Sequence, residues 1–164
     1  MIELIVLDVD GTLTNGQISY TASGDEIKSF CVKDGMAIAS WTKKFNKKAA
    51  IITGRKSTIV EKRAKELGIT HLYQGVDNKD EILENILQKE NLTWENIASI
   101  GDDLNDYKML KKSKLSFSPA NGVDEIKQIV DITTLQNGGN GAVRFMIEYI
   151  LEFNKMDSLE TLWV

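Results

Sequence analysis

Acids dominate the residues whose types and spacing could carry chemistry in this chain. Asp8 and Asp10 stand two apart in Asp8-Val9-Asp10-Gly11-Thr12, and Asp102, Asp103 and Asp106 fall within five positions after the run Ile97-Ala98-Ser99-Ile100-Gly101. Thr53-Gly54-Arg55 and Lys79 add a hydroxyl, a guanidinium and an ammonium. Two unit charges about 4 Å apart repel by roughly 4 kcal/mol at an effective dielectric near 20. Several such pairs in one cleft would offset most of the roughly 5–15 kcal/mol by which a domain is stable. Something cationic must hold them together, and Lys79 and Arg55 are too few. All-oxygen ligation points to Mg²⁺. A hard cation on carboxylates, beside a hydroxyl, a lysine and an arginine, is a set of parts for phosphoryl transfer. One carboxylate can attack phosphorus and form an aspartyl-phosphate. A second, two residues on, can protonate the leaving alkoxide and later activate water. Asp8 and Asp10 have that spacing, and Gly11 lets the backbone turn close to a phosphate.

The elements that must position these groups follow from the apolar pattern. Leu4 to Leu7 is a continuous apolar run ended by Asp8, as expected of a parallel strand buried on both faces. Similar runs recur at Ala49–Ile52, His71–Tyr73, Ile97–Ile100, Lys114–Phe117 and Ile129–Ile132. Residues 57–67 and 80–91 repeat apolar positions at three and four and read as helices. The alternation predicts an α/β fold, a doubly wound, mostly parallel sheet with helices on both faces, in one domain spanning 1–164. In such sheets ligands bind beyond the carboxyl ends of the strands, where every group named above falls. Residues 16–33 break the pattern with two alternating runs around Ala22-Ser23-Gly24-Asp25, an inserted β-hairpin. A last helix from Gly141 would bury Val143, Met146, Ile147, Ile150 and Leu151. The tail, 155–164, ends in Leu162-Trp163-Val164 and should dock on the body or on a neighbouring chain.

Composition narrows the classes. The chain has 164 residues, enough to bury a core without staples. One Cys and one His exclude an internal disulfide and a structural zinc site, and point to a reducing, cytoplasmic compartment. A net charge of −4 argues against nucleic acid, and no apolar run approaches the roughly 20 residues of a membrane span. The run Ile2–Leu7 is too short for a signal peptide. Blander roles exist for single residues. Asp8 and Asp10 could form a solvated turn, Asp106 could cap a helix, and Lys79 and Arg63 could be surface cations. Cys31 and His71 read as structural. Four groups arriving together at strand ends weigh against the bland reading for the acids.

These residues resemble the haloacid dehalogenase (HAD) phosphatase superfamily in all four motifs and in order: DVDGT at 8–12, ITGR at 52–55, Lys79, and GDDLND at 101–106. The resemblance implies that Asp8 is the nucleophile and Asp10 the general acid/base. Thr53, Gly54 and Lys79 would hold the phosphate. Mg²⁺ would sit on Asp8, the Asp10 backbone carbonyl and Asp102, supported by Asp103 and Asp106. FCVKDG at 30–35, the stretch 52–75 and GGNGAVR at 138–144 are further similar to 3-deoxy-D-manno-octulosonate 8-phosphate (KDO 8-phosphate) phosphatases. That family lacks a cap domain, inserts a hairpin, and assembles as a homotetramer whose subunits close each other's sites. The resemblance implies that Cys31, Val32, Lys33, Asp34, Gly35, Arg55, Arg63 and Lys79 touch substrate. Ala39 stands where the family usually has a basic residue, and Phe145 where it usually has Glu. A related branch acts on nine-carbon, sialic-type 9-phosphates and tends to carry TGE; Arg55 favours the eight-carbon acid and leaves the nine-carbon one as the alternative. Two readings from other classes stand beside the phosphatase. A phospho-receiver would place its accepting Asp on a middle strand, and an oligomerisation module would not need the catalytic set.

Overall fold

The computed structural model describes residues 1–163, in which β1 (Leu4–Leu7) enters the middle of the sheet at once. A loop and a small hairpin, β2 (Ser19–Tyr20) and β3 (Glu26–Ile27), lead into α1 (Val32–Ala39). The chain then alternates through β4 (Lys48–Thr53), α2 (Thr58–Leu67), β5 (His71–Gln74), α3 (Lys79–Glu90), β6 (Ile97–Ile100), α4 (Tyr107–Lys112), β7 (Leu115–Ser118), α5 (Asp124–Lys127), β8 (Ile132–Thr133) and α6 (Ala142–Phe153). Among the described residues six strands form one sheet in the order β5-β4-β1-β6-β7-β8, every pairing parallel. This is the doubly wound α/β fold that the alternation of strands and helices predicts.

Register decides which residues share a face. Leu7 pairs with Ile51 and Ile100, and all three join Ile5, Ala49 and Ala98 under α1, α2 and α6. Leu4, Val6, Ala50, Ile52 and Ile97 turn to the other face, against Leu83, Ile86 and Leu87 of α3 and Met109 of α4. Two buried faces require strands that are apolar at every position, and β1 is buried throughout. Ser57 starts α2 by accepting from the Ile59 N–H at 3.2 Å, satisfying one of the unpaired donors of the first turn. No helix among the described residues is long and apolar enough to cross a membrane.

Several boundaries differ from expectation. The last strand is Ile132–Thr133, not 129–132, because Ile129 and Val130 close the turn after α5. Asp131 then accepts from both the N–H and the hydroxyl of Ser116, each at 2.8 Å, so pairing with β7 begins one residue later. The helix α1 does not show in the apolar pattern, since its buried stripe of Asp34, Ala37 and Ile38 opens on a carboxylate. The hairpin pairs only two residues on each side. The tail docks on its own chain: Leu159 joins the core, and the Lys44 ammonium sits 3.4 Å from the ring centroid of Trp163. Val164 lies outside the described residues.

Candidate active site

The sheet order reverses at β1, where the chain leaves to β4 on one side and pairs with β6 on the other. A crevice opens beyond the strand ends at such a reversal. Asp8 ends β1, and its N–H donates to the Ile100 carbonyl at 3.2 Å, which ties the loop to β6. Lys79, in the first turn of α3, is only 2% exposed. Its ammonium donates to Asp8 Oδ1 at 2.5 Å and to Asp106 Oδ1 at 2.6 Å. Asp106 Oδ2 accepts from the backbone N–H of Asp102 at 3.0 Å and of Asp103 at 3.4 Å. Both oxygens of Asp106 are therefore held by protein donors. Carboxylate oxygens of Asp8, Asp102 and Asp106 lie within 4.8 Å of one another.

The loop between Asp8 and Asn15 is shaped around this cluster. It closes through the Thr14 N–H on the Val9 carbonyl at 3.0 Å, with Gly11 at φ +95°. A Cβ at Gly11 would lie 2.0 Å from Asp102 Oδ2, so any side chain here would displace the Asp102 carboxylate, at a positive φ that itself favours glycine. The segment 138–141 backs the loop from outside. A Cβ at Gly138 would lie 1.8 Å from the Gly11 carbonyl oxygen, and the Gly139 N–H donates to the Thr12 carbonyl at 2.9 Å. The second glycine-rich stretch in the sequence is thus a support for the first.

Burial pushes the carboxyl of Asp8 well above its ordinary range, and the neighbouring Asp106 adds to it, outweighing the pull of Lys79. Asp102 is pushed up to about 6, again first by burial and then by Asp106. Burial alone would lower Lys79, but the charges of Asp8 and Asp106 prevail and hold it above its usual value. The protein thus spends free energy to keep three carboxylates together with one ammonium among them. A dication placed on that set would favour their ionised forms, so the donor set fits a hard, oxygen-seeking metal such as Mg²⁺.

Asp8, Asp10, Thr53, Gly54, Arg55 and Asn105 line one cleft of about 120 Å³, with Lys79, Asp102 and Asp106 directly behind Asp8. Asn105 was not anticipated; it lies inside the acidic motif but carries no charge to draw notice. Asp10 has a partner outside the acidic motifs. Lys28 of the hairpin donates to Asp10 Oδ1 at 2.5 Å and pairs with Glu26 at 2.8 Å. Arg55 completes a charged ring, 3.9 Å from Asp10 Oδ2 and 3.4 Å from Glu26 Oε2. The signal was present: Glu26 and Lys28 are two apart on an extended segment, so they share a face.

Other expected residues fall elsewhere. Val32, Gly35 and Arg63 line a separate cavity of about 400 Å³ with Met36, Lys43 and Trp163. Arg63 lies over the Phe30 ring at 5.6 Å and bonds Glu66 at 3.3 Å. Asp34, expected at the substrate, is 1% exposed and caps α6, accepting from the Arg144 N–H at 2.9 Å and the Gly141 N–H at 3.3 Å. Its two oxygens are turned to backbone donors at the start of α6. Cys31 precedes α1, half-buried, and Lys33 is exposed in its first turn. Asp103, expected to support the metal, is exposed and accepts from the Leu104 N–H at 2.7 Å. It takes the capping role considered for Asp106, which reaches back in reciprocal fashion.

Residues 71–146 match the haloacid dehalogenase-like hydrolase family. The chain is 42% identical over 151 residues to 3-deoxy-D-manno-octulosonate 8-phosphate phosphatase KdsC of Escherichia coli K12, covering 92% of this chain and 79% of that one. The chain belongs to the KDO 8-phosphate phosphatase family. Solved structures of the family superpose closely. The Moraxella catarrhalis phosphatase, in complex with magnesium ion, phosphate ion and KDO, has a TM-score of 0.89 at 42% identity over 92% of this chain and 86% of its own. The cobalt-bound Haemophilus influenzae phosphatase has a TM-score of 0.86 at 35% identity, covering 92% and 88%. Like those proteins, this phosphatase is a HAD-like hydrolase of phosphoric monoesters.

Proposed function

We propose that this protein hydrolyses KDO 8-phosphate to KDO and inorganic phosphate with Mg²⁺. The observation that carries the reading is the cluster of Asp8, Asp102 and Asp106 within 4.8 Å, locked to Lys79 at the end of the central strand. A carboxylate in that position faces a cleft floored by Thr53 and Gly54, which suits a phosphoryl group. Mg²⁺, held by Asp8, Asp102 and the Asp10 backbone carbonyl, would supply the positive charge that lets a phosphate approach three acids. Lys79 holds Asp8 Oδ1 and so fixes its free oxygen towards phosphorus. Asp8 attacks, the P–O bond to the sugar breaks, and Asp10 gives its proton to the leaving oxygen. Asp10 then takes a proton from water, which attacks the aspartyl-phosphate and frees Asp8. Arg55, at the mouth of the cleft, offers the guanidinium that a sugar-acid carboxylate requires. The bound KDO and phosphate of the M. catarrhalis relative support the same assignment.

The decisive experiment is a phosphate-release panel comparing kcat/KM for KDO 8-phosphate, sialic-type 9-phosphates and hexose phosphates. KDO 8-phosphate should lead; a nine-carbon substrate in first place would replace this reading.

We further infer one cytoplasmic domain assembled as a homotetramer. Ile18, Tyr20 and Ile27 stand on the hairpin at 46%, 61% and 49% exposure, an apolar face suited to another subunit. Light scattering of the active protein should give four chains, and a fully active monomer would refute the assembly.

A further inference from the structure

The hairpin carries a side chain whose placement its own fold does not require. With only Ser19–Ile27 and Tyr20–Glu26 paired, and with Ile18, Tyr20 and Ile27 exposed, β2 and β3 are held to the body by few apolar contacts. Yet the Lys28 side chain is 2% exposed. Burying an ammonium is costly unless it is paired, and this one is paired twice, to Asp10 at 2.5 Å and Glu26 at 2.8 Å. Ile27 turns outward while Glu26 and Lys28 turn inward, as extended backbone requires. The inward pair meets Asp10 and Arg55, so two acids and two bases form a closed ring at the mouth of the cleft.

We propose that Lys28 is the positioning residue for Asp10: its ammonium holds Oδ1 so that Oδ2, on the Arg55 side, is aimed at the leaving oxygen. The inference rests on Asp10 acting as the general acid in the function proposed above. A carboxyl group turns freely about its terminal bond unless one oxygen is held, and an acid that is out of line transfers its proton late. Glu26 serves the lysine in turn, pairing with the same ammonium at 2.8 Å. The hairpin therefore does more than cover the site; it brings in the group that aims the acid.

The test uses leaving-group chemistry, because a purely structural lysine would affect every substrate alike. KDO 8-phosphate releases an alkoxide that needs a proton, whereas p-nitrophenyl phosphate releases a stable phenolate that does not. kcat/KM covers only the steps through release of the leaving group, so the later attack by water does not enter. With Mg²⁺ present, Lys28→Met should lower kcat/KM on KDO 8-phosphate by about a hundredfold, within the range that general acid catalysis contributes. On p-nitrophenyl phosphate the loss should stay within about threefold, because no proton is needed there. Lys28→Arg, which keeps the cation, should restore most of the alkyl-phosphate rate. Lys28→Gln, a milder change that keeps a donor, gives the same comparison should the Met variant fold poorly. Asp10→Ala must show the same selectivity. If Asp10→Ala is selective and the Lys28 variants are not, the positioning role is overturned while the acid stands. If Asp10→Ala hits both substrates equally, the acid assignment falls and the role of Lys28 falls with it.

Discussion

Lys79→Met removes a charge but keeps a chain of similar length, so it isolates the ion pairs behind Asp8. At 2.5 and 2.6 Å the two attractions are each about 6–7 kcal/mol at an effective dielectric near 20. Much of that is returned as the cost of taking the ions out of water. What remains on deleting one partner of a buried pair is about 3–5 kcal/mol, because the carboxylates are left unpaired. For a chain of this length that corresponds to roughly 6–20 °C in Tm. The assay is thermal denaturation followed by circular dichroism in EDTA, then with excess Mg²⁺. The variant should melt lower in EDTA, and Mg²⁺ should narrow the gap by supplying charge to the same acids. kcat/KM should fall by about a hundredfold or more, as for loss of a preorganised cation. A Tm in EDTA within about 2 °C of wild type would show that Lys79 does not neutralise the cluster, and the reasoning would fail.

Three further outcomes follow from the same contacts. In the metal-free protein, Asp8 and Asp102 hold protons more tightly folded than unfolded, since their folded values lie above the ordinary 3.8. Stability in EDTA should therefore be highest near pH 4 and fall as pH rises towards about 6 and beyond, with Mg²⁺ reversing the trend in a urea-melt series. Gly11→Ala forces a Cβ to within 2.0 Å of Asp102 Oδ2 at a positive φ; Mg²⁺ affinity by calorimetry should drop at least about tenfold, with about 1–3 kcal/mol lost in stability. Asp34→Ala should cost about 1–3 kcal/mol in a denaturant melt by orphaning two N–H groups at the start of α6.

What was legible in the sequence was whatever obeys a period or a local rule. Strands such as Leu4–Leu7 and Ile97–Ile100 are apolar at every position because both faces are covered, and that pattern survives without any knowledge of partners. Asp8, Asp10, Thr53 and Arg55 were readable as one cleft because each follows such a strand. Less legible was anything decided by a distant neighbour. The stripe of α1 starts with Asp34, a carboxylate buried only because α6 arrives above it. The partner of Asp10 comes from a hairpin eighteen residues on, where nothing in the local spacing names the target. Arg63 shares a helix face with the approach to the cleft, yet packs on Gly35 and Phe30, a choice made by α1 and invisible in the periodicity of α2.

The central place of β1 also governs when the molecule can come together. Its first partner residue on one side is Lys48, 44 positions after Leu4, and on the other Ile97, 93 positions after it. Closing pairings over such separations is slow compared with local helix formation. On a ribosome adding about 5–20 residues per second, the apolar N-terminal strand waits several seconds for β6 to be made. Until then Asp8 has neither the carbonyl of Ile100 nor the acids of GDDLND beside it. The acidic cluster therefore assembles only after most of the chain has been made, and the newborn protein meets no close crowd of like charges until the sheet that holds it is nearly complete.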